Sequence, residues 1–393
     1  MPHALIIGAG QIGRAVAETL LDRGWSATLA SRSGGLPAEF VGRGATAVSL
    51  DRTEPGALAR ALGSGADLLL DTVAFDAADA DQLIELSGDA GRIVAISSTS
   101  VYRDPAGRTL DEARENGFPD LPERVTEDQP TVDPGPATYS TRKAAMERRL
   151  LDGARTPVTV LRPCAIHGPH SRHPREWWFV KRLLDGRARI PLAHAGESRF
   201  HTSATVNIAA LVAAVADARG TQVLNAVDPD PPSVREISQT IMAALGRDAE
   251  LVPVPDDGPA GVGTTPWSVP RPFTFSDAAA RAIGYAPVGG YAKTAAPACR
   301  WLADHAPADW RAAFPALAAY SWDLFDCARE DEWLAGCPVG NSTLRANERG
   351  ALFAADQQAQ PCSYVGAGMH NLAPTVPNKG APTASPDATL RRS

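Results

Sequence analysis

Residues 1–165 alternate between short apolar runs and longer stretches in which apolar residues recur every three or four positions. The apolar runs predict buried strands at residues 4–7, 27–30, 45–50, 67–71, 92–96 and 158–161. Between the first two strands, residues 12–23 have the helical period, with apolar side chains at Ile12, Val16 and Leu20. Strands that alternate with helices predict right-handed βαβ units, and therefore an α/β fold with a doubly wound parallel sheet.

The pattern changes twice along the chain. From about residue 166 it becomes irregular and rich in proline and arginine, so we assign residues 166–335 to a smaller C-terminal lobe. Segments from about 200–230 are expected to return to the first domain, residues 1–165. Within the lobe, Ser233 and Glu236 predict a capped helix at 233–245, and further helices are expected at 276–284 and 291–302. Residues 336–393 lose periodicity and have the composition of a disordered tail.

Composition narrows the class of protein. The 393 residues carry a net charge of −7, which argues against non-specific binding to nucleic acid. No apolar run approaches the length that spans a membrane, and the N-terminus lacks the features of a signal peptide. The five cysteines form no C-x-x-C pair, which is typical of free thiols in a reducing compartment. We therefore expect a cytoplasmic protein that binds neither membrane nor nucleic acid.

A glycine-rich turn follows the first strand and opens the first helix. It reads Gly8-Ala9-Gly10-Gln11-Ile12-Gly13, the G-x-G-x-x-G pattern of dinucleotide-binding Rossmann folds. Gly8 permits the tight turn, Gly10 lets the backbone approach a pyrophosphate, and Gly13 lets the helix pack closely on the sheet. The helix N-terminus, with the backbone of Gln11 and Ile12, attracts the phosphates. A turn that needs glycines only for its geometry is the alternative.

The residues after the second strand bear on the choice of cofactor. An NAD site usually has Asp or Glu there for the ribose 2′-hydroxyl, whereas this chain has Ser31, Arg32 and Ser33. Arg32 can pair with a 2′-phosphate and both serines can donate to it, so NADP is favoured, with NAD as the alternative. Arg32 could also be a solvated loop residue. Asp51 is placed to accept from the adenine amino group, or else to cap a turn.

Tyr139 and Lys143 are the strongest candidates for catalysis. They are four residues apart at the start of a predicted helix and so lie on one helix face. A phenol near a fixed ammonium ionises more easily, as a proton-transfer group near neutral pH requires. Alternatively, the two side chains are simply neighbours on a solvated helix face. Upstream, Ser97 and Ser98 follow the strand at 92–96, at the edge where open α/β sheets bind ligands.

Together with these features, several further motifs resemble the extended short-chain dehydrogenase/reductase family, in its NAD-dependent epimerase/dehydratase branch. The resemblance covers about residues 4–335. The motifs are Ser97-Ser98-x-x-Val101-Tyr102, Thr126-Glu127-Asp128, Leu161-Arg162-Pro163, Gly168-Pro169 and Ile283-Gly284-Tyr285-x-Pro287. The resemblance implies an NAD(P)-dependent enzyme that transfers hydride at a carbonyl or hydroxyl carbon, and it allows a homodimer.

The same resemblance implies roles for individual residues. Tyr139 would be the general acid or base, and Lys143 its activator and a ligand of the nicotinamide ribose. Ser98 would polarise the C–O bond of the substrate. The backbone following Leu161-Arg162-Pro163, at Pro163, would contact the nicotinamide amide.

The chain departs from the family pattern at three places. Ile7 replaces the first glycine of the branch's usual turn, and Asn207 replaces an acidic residue. Thr99 and Ser100 stand where sugar-nucleotide dehydratases have their Asp-Glu pair, so a dehydratase is not expected.

The segment 167–199 is strongly basic for an acidic protein. It could hold an anionic substrate or form a solvated positive face. We take Thr99, His167 and Arg199 as candidate substrate contacts, and reject a metal site at the three histidines 167, 170 and 173 because no carboxylate accompanies them. The aromatic run 177–179 is expected to line the pocket or the core, and residues 104–128 could form a lid near Tyr139.

Three functions remain open at this point. The leading hypothesis is an NADP-dependent oxidoreductase acting on a small metabolite. A nucleotide-sugar epimerase would use the same residues without net redox change. A dinucleotide-binding sensor is the least favoured, because such regulators typically lose Tyr or Lys of the pair, and both are present here.

Overall fold

The computed structural model describes residues 1–337, so the predicted disordered tail lies outside the described residues except at its first positions. The strands are β1 His3–Ile7, β2 Ser26–Ser31, β3 Ala45–Ser49, β4 Leu68–Asp71, β5 Ile93–Ile96, β6 Val158–Arg162, β7 Ala165–His167, β8 Arg189–Leu192, β9 Thr202–Ala204, β10 Gln222–Asn225 and β11 Glu250–Pro253.

The helices fall between and after these strands. They are α1 Gln11–Asp22, α2 Ala57–Leu62, α3 Ala77–Leu86, α4 Ala113–Asn116, α5 Tyr139–Gly153, α6 Trp177–Leu184, α7 Thr205–Ala216, α8 Val234–Leu245, α9 Ala278–Ala282, α10 Tyr291–Thr294, α11 Ala296–Asp304, α12 Trp310–Ala313, α13 Pro315–Ala318 and α14 Cys327–Ala335.

Seven strands form one parallel sheet in the order β10-β6-β5-β4-β1-β2-β3. The predicted α/β fold with a doubly wound parallel sheet is therefore confirmed. The strand order reverses between β1 and β4, so their carboxyl ends open a crevice, where ligands bind in sheets of this kind. Strand β10 lies in the segment 200–230 and pairs with β6, at the far edge from β3.

Two apolar layers cover the sheet. On one face, α1 and α7 pack against each other with Val16, Leu20 and Val212 fully buried. On the other, α3 and α5 pack together over Leu69 and Val160. Because both faces are covered, the central strands are apolar throughout, which explains why they read as continuous apolar runs in the sequence.

A third apolar cluster lies mostly in the C-terminal lobe. It contains the aromatic run Trp177, Trp178 and Phe179. Of the two expected positions, the pocket or the core, the run therefore occupies the core. We propose to keep the domain boundary near residue 165, because β6 ends the contiguous part of the sheet there and the third cluster draws mainly on later residues.

The predicted elements match the structure with one notable exception. Each of the six predicted strands is present with its ends within one residue. The capped helix is present, with Ser233 and Glu236 exchanging hydrogen bonds at 2.7 and 3.2 Å. The helix expected at 291–302 is instead two helices, α10 and α11, and this prediction was wrong. Pro297 occupies the first turn of α11, where its missing N–H is tolerated, whereas it would break a continuous helix.

Candidate active site

The candidate site lies at the carboxyl ends of β1, β4 and β5. Register pairs Ile7 of β1 with Asp71 of β4, and Asp71 in turn with Ala95 of β5, so the loops that leave these strands are neighbours. The glycine turn, the loop after β4 and the serine turn therefore meet at one edge of the sheet.

The glycine turn has the geometry that a dinucleotide requires. Gly8 has a φ of +103°, and a Cβ there would meet the Thr72 hydroxyl at 2.2 Å. A Cβ at Gly13 would meet the Gly8 carbonyl oxygen at 1.9 Å, whereas one at Gly10 would meet nothing within 4 Å. The open space is therefore at Gly10, where the backbone can approach a pyrophosphate.

Two neighbouring side chains also fit a bound dinucleotide. The Oε1 atom of Gln11, at the start of α1, is buried without a hydrogen-bond partner. Val73, which flanks Gly8, is 48% exposed although it is apolar. Ile12 differs, because its side chain is buried in the core against the sheet, so only its backbone is available to the phosphates. These observations support the predicted cradle at Gly8, Gly10, Gln11 and Gly13.

The end of β2 carries no carboxylate. The hydroxyls of Ser31 and Ser33 are 3.2 Å apart, and Arg32 between them is exposed. Asp51 accepts hydrogen bonds from the Thr53 hydroxyl at 2.7 Å and backbone N–H at 3.0 Å. These bonds, together with the charge of Arg32, lower the pKa of Asp51. The structure thus shows Asp51 as a turn residue, while its contact with adenine stays a prediction.

The loop after β4 is a part of the site that the sequence analysis missed. The Asp71 carboxylate accepts from the backbone N–H groups of Val73 and Ala74, each at 2.8 Å. Arg52 forms a salt bridge with Asp71 at 3.1 Å. This network fixes the loop beside Gly8 and points the Ala74 carbonyl at Lys143. An Asp that ends a buried strand next to β1 was the available signal.

Lys143 projects from α5 into this loop. Its side chain is buried, and Nζ donates to the backbone oxygens of Ala74 at 2.6 Å and Ile96 at 2.9 Å. Nζ is 5.9 Å from the centroid of the Tyr139 ring. Burial lowers the pKa of Lys143 to about 8, although nearby carboxylates, of which Asp71 acts most strongly, oppose the shift. The predicted shared face is present, and the ammonium is held by carbonyls.

Tyr139 is the first residue of α5, which Thr138 and Thr141 cap by exchanging hydrogen bonds. The half-buried ring lies 5.7 Å from that of Phe75, centroid to centroid. Burial raises the pKa of Tyr139 to about 12, while a hydrogen bond with Ser98 and the charge of Arg175 favour the phenolate. Burial thus outweighs the easier ionisation that the sequence predicted for this phenol, and Ser98 is the side chain that hydrogen-bonds it.

Ser98 begins the 3-10 helix Thr99–Val101, and its hydroxyl accepts from the Ser100 backbone N–H at 3.1 Å. The hydroxyls of Ser100 and Ser140 are 2.9 Å apart, which ties this turn to the start of α5. The neighbouring Ser97 hydroxyl is buried without a partner. The structure thus brings Ser98 and Tyr139 together from different elements, as the predicted roles require.

Thr99 and Pro163 lie just behind this pair. The Pro163 carbonyl accepts from the Thr99 N–H at 2.9 Å, which joins the ends of β5 and β6. Thr99 is buried, and its side chain hydrogen-bonds the Cys164 thiol. Arg162 forms a buried salt bridge with Glu147 at 2.5 Å. Direct contacts of Thr99 with a substrate and of Pro163 with nicotinamide stay predictions.

The side chains of His167 and Arg199 are both held by residues 228–236. His167 is 1% exposed, and its Nε2 pairs with Asp228 at 2.9 Å. Arg199 donates to the Pro231 carbonyl at 2.6 Å and pairs with Glu236 at 3.3 Å. Both side chains are thus occupied by partners within the protein, which disfavours the predicted substrate contacts for them.

The acidic segment 104–128 packs beside α5. Asp111 accepts from the Ser140 backbone N–H at 2.7 Å, directly after Tyr139. Asp104 is buried and salt-bridged to Arg108 at 2.6 Å. The segment is therefore adjacent to Tyr139, while its motion as a lid stays a prediction.

The described residues contain neither a cluster of metal ligands nor a membrane-spanning helix. Within residues 1–337, no group of three or more His, Cys, Asp or Glu side chains is placed to hold a metal ion. Across the same part of the chain, no helix is long and apolar enough to cross a membrane.

Comparison with known proteins identifies the family. Residues 4–227, more than half of the chain, match the NAD dependent epimerase/dehydratase family. A search among curated proteins finds no match. The chain therefore belongs to the NAD-dependent epimerase/dehydratase family, and the predicted resemblance is confirmed.

Solved structures share the fold at low sequence identity. MoeE5 in complex with UDP-glucose and NAD is 19% identical, with a TM-score of 0.56, over 78% of this chain and 100% of that one. The dTDP-glucose 4,6-dehydratase of Bacillus anthracis in complex with NAD is 15% identical, with a TM-score of 0.59, over 77% and 97%. The UDP-glucose 4-epimerase of Thermotoga maritima with UDP-glucose is 16% identical, with a TM-score of 0.59, over 78% and 100%.

Family and fold together define the class. The protein is an NAD(P)-dependent enzyme of the extended short-chain dehydrogenase/reductase type, as the sequence analysis expected.

Proposed function

We propose that the protein is an NADP-dependent oxidoreductase that transfers hydride at a carbonyl or hydroxyl carbon of a small anionic metabolite. The observation that supports this most strongly is the meeting of Tyr139, Ser98 and Lys143 beside the glycine cradle. These groups come from two loops and a helix, and only the folded sheet edge brings them together.

The cofactor would be held by residues of two loops. The Gly10 backbone and the N-terminus of α1 suit the pyrophosphate, and Arg32 with its flanking serines suits a 2′-phosphate. The absence of a carboxylate at Ser31-Arg32-Ser33 favours NADP, although the similar structures named above contain NAD. When bound, the nicotinamide would supply or accept the hydride.

The protein's own groups would handle the proton. Ser98 would hydrogen-bond the substrate oxygen and hold it against the Tyr139 phenol, which donates a proton during reduction or accepts one during oxidation. The phenol stays protonated near neutral pH because burial raises its pKa to about 12, so it is ready to act as the acid of a reduction. The buried Lys143 ammonium adds positive charge near the developing alkoxide.

A nucleotide-sugar epimerase is the second candidate, because similar structures contain UDP-glucose. A dehydratase is disfavoured, since Thr99 and Ser100 are both buried hydroxyl residues where that chemistry would need carboxylates. A test supplies NADPH with a panel of carbonyl acids, and separately UDP-glucose without added cofactor. Loss of absorbance at the nicotinamide band supports the oxidoreductase. Sugar interconversion without any such change would favour the epimerase.

The proposal also covers the cellular location and the oligomeric state. We infer a cytosolic location, since the four described cysteines are all free thiols. A homodimer is proposed from the family resemblance, and sedimentation of the purified protein would establish its mass.

A further inference from the structure

We propose that Arg175 binds a carboxylate of the substrate next to the carbon on which Tyr139 acts. Arg175 lies two residues before α6, in the C-terminal lobe. The proposal rests on the proposed function, because it assumes that the substrate reacts at Tyr139.

Arg175 is buried and forms no salt bridge within residues 1–337, although its charge acts on the adjacent Glu176 carboxylate. The residue is 8% exposed, and its Nε atom is buried with no hydrogen-bond partner. No carboxylate of the described residues forms a salt bridge with it. The adjacent Glu176 carboxylate instead accepts from the Tyr291 hydroxyl at 3.3 Å. A buried guanidinium without a salt bridge is costly, so we expect Arg175 to bind an anion that the protein alone does not supply.

The other buried arginines of the described chain provide the contrast. Arg162 pairs with Glu147 at 2.5 Å, and Arg182 pairs with Glu330 at 2.5 Å. Arg92 donates to Thr159 and to backbone carbonyls. Arg162 Nη1 and Arg182 Nε are also buried without partners, but each of those guanidiniums has a carboxylate at 2.5 Å, which Arg175 lacks among the described residues.

The contacts of Arg175 fix its position in the fold. The Arg175 guanidinium lies 6.0 Å from the centroid of the Phe200 ring and donates a hydrogen bond to the Tyr320 hydroxyl oxygen. Its charge acts on the Tyr139 phenol and on the Cys164 thiol, lowering the pKa of each against the larger opposing effect of burial. His201, which follows Phe200, accepts from the Ala165 N–H at 3.0 Å just after β6, so Arg175 lies near the end of β6 on the side of the C-terminal lobe.

The donor geometry of a guanidinium suits a carboxylate. A guanidinium edge presents two parallel N–H donors, which match the two oxygens of a carboxylate, and the orphaned Nε belongs to such an edge. Neither neighbouring candidate from the basic segment competes for this role. Arg172 is exposed, and Arg199 is engaged with Pro231 and Glu236. A phosphate monoester offers similar oxygens, so the test must separate the two anions.

The test measures carboxylate selectivity without needing the natural substrate. The complex of the enzyme with NADP⁺ is titrated with acetate, pyruvate, benzoate and phenylpyruvate, with their primary amides, and with methyl phosphate, by calorimetry. We expect at least one carboxylate to bind tenfold or more tightly than its amide. Arg175→Gln should abolish that preference, and Arg172→Gln, an exposed control three residues away, should retain it.

Three other results of this titration would overturn the proposal. No carboxylate preference across the panel, or one that survives in Arg175→Gln, would show that Arg175 does not bind this group. If methyl phosphate binds more tightly than every carboxylate and depends on Arg175, the site takes phosphate and the carboxylate assignment is wrong.

Further readouts separate a binding role from a structural one and from failure of the proposed function. Because Arg175 forms no salt bridge in the described part of the chain, Arg175→Gln should leave the melting temperature unchanged or higher, whereas a large decrease would indicate a structural arginine. Arg175→Lys keeps the charge but loses the paired donors, so it should retain only part of the selectivity. Failure of the wild-type protein to bind NADP⁺ would refute the proposed function, while carboxylate selectivity in the cofactor-free protein would still report on Arg175.

Discussion

The Lys143 ammonium lies 2.6 Å from the backbone oxygen of Ala74, and the same Nζ donates to Ile96 at 2.9 Å. The lysine thus joins the loop after β4 to the end of β5, directly below Tyr139. Because it is buried there, its pKa falls from 10.5 to about 8. Its charge is therefore lost within the pH range in which the enzyme can be assayed.

This relationship predicts the pH dependence of carbonyl reduction. If the charged form of Lys143 is needed, kcat/KM should be constant below pH 7 and fall as pH rises through about 8. At one pH unit above that value, about a tenth of the activity should remain. A pH–rate profile with NADPH measures it. Lys143→Arg, charged throughout, should be slower but should show no decline near pH 8. An unchanged decline in that variant would assign it to another group.

Tyr139→Phe should lower kcat by about 10²–10⁴-fold, the usual contribution of a general acid. Cofactor affinity should change little, because the cradle at Gly8 and Gly10 is separate from the phenol. Stopped-flow turnover and fluorescence titration of NADPH measure the two quantities. Tyr285→Phe is the matched control, since Tyr285 is a buried tyrosine packed in the cluster around α1 and α7. Near-normal kcat in Tyr139→Phe would exclude it as the acid.

Arg32→Ala should weaken NADPH binding by about tenfold or more, since a charge-assisted hydrogen bond contributes about 1.5–3 kcal/mol. NADH binding should be almost unaffected, because that cofactor lacks the 2′-phosphate. Arg23→Ala, another exposed arginine close in sequence, is the control. Fluorescence titration of NADPH and NADH into the wild type, Arg32→Ala and Arg23→Ala measures these affinities. Equal affinity of Arg32→Ala and the wild type for NADPH would remove the basis of the NADP assignment.

His167→Gln should destabilise the fold by about 3 kcal/mol, because it leaves the buried Asp228 carboxylate without its cation. Chemical denaturation measures this, with the exposed His305→Gln as the control. A loss no larger than that of the control would show that the hydrogen bonds from Thr202 and Asn207 suffice for Asp228.

The same pair predicts how stability depends on pH. Burial lowers the pKa of His167, but Asp228 raises it more, so the net pKa lies above 6.5. This contribution is complete below pH 6.5 and is lost as pH rises through the raised value. Burial likewise opposes ionisation of Asp228, yet His167 and hydrogen bonds lower its pKa from 3.8 to about 2. Its contribution is present above pH 3.8 and lost towards pH 2. His167→Gln should therefore lose most stability between about pH 4 and 6.5.

The strands and the glycine turn could be predicted from the sequence because their signals are local. A buried parallel strand must be apolar along its whole length, so β1, β2 and β4 to β6 appear as apolar runs, and Gly8-x-Gly10-x-x-Gly13 follows the first of them. Tyr139 and Lys143 could be paired because helical spacing alone puts them on one face. Each of these inferences needs only a few consecutive residues.

What only the tertiary structure decided depends on residues far apart in the chain. Lys143 meets Ala74 across 69 positions, and His167 meets Asp228 across 61, so neither partner leaves a trace in the local pattern. The basic segment 167–199 looked uniform as sequence, but in the folded protein its arginines differ. Arg199 is paired with Glu236, Arg172 is exposed, and Arg175 is buried. The reason is physical: the effect of a charge depends on its burial and on its nearest opposite charge, and both are set by packing between distant segments.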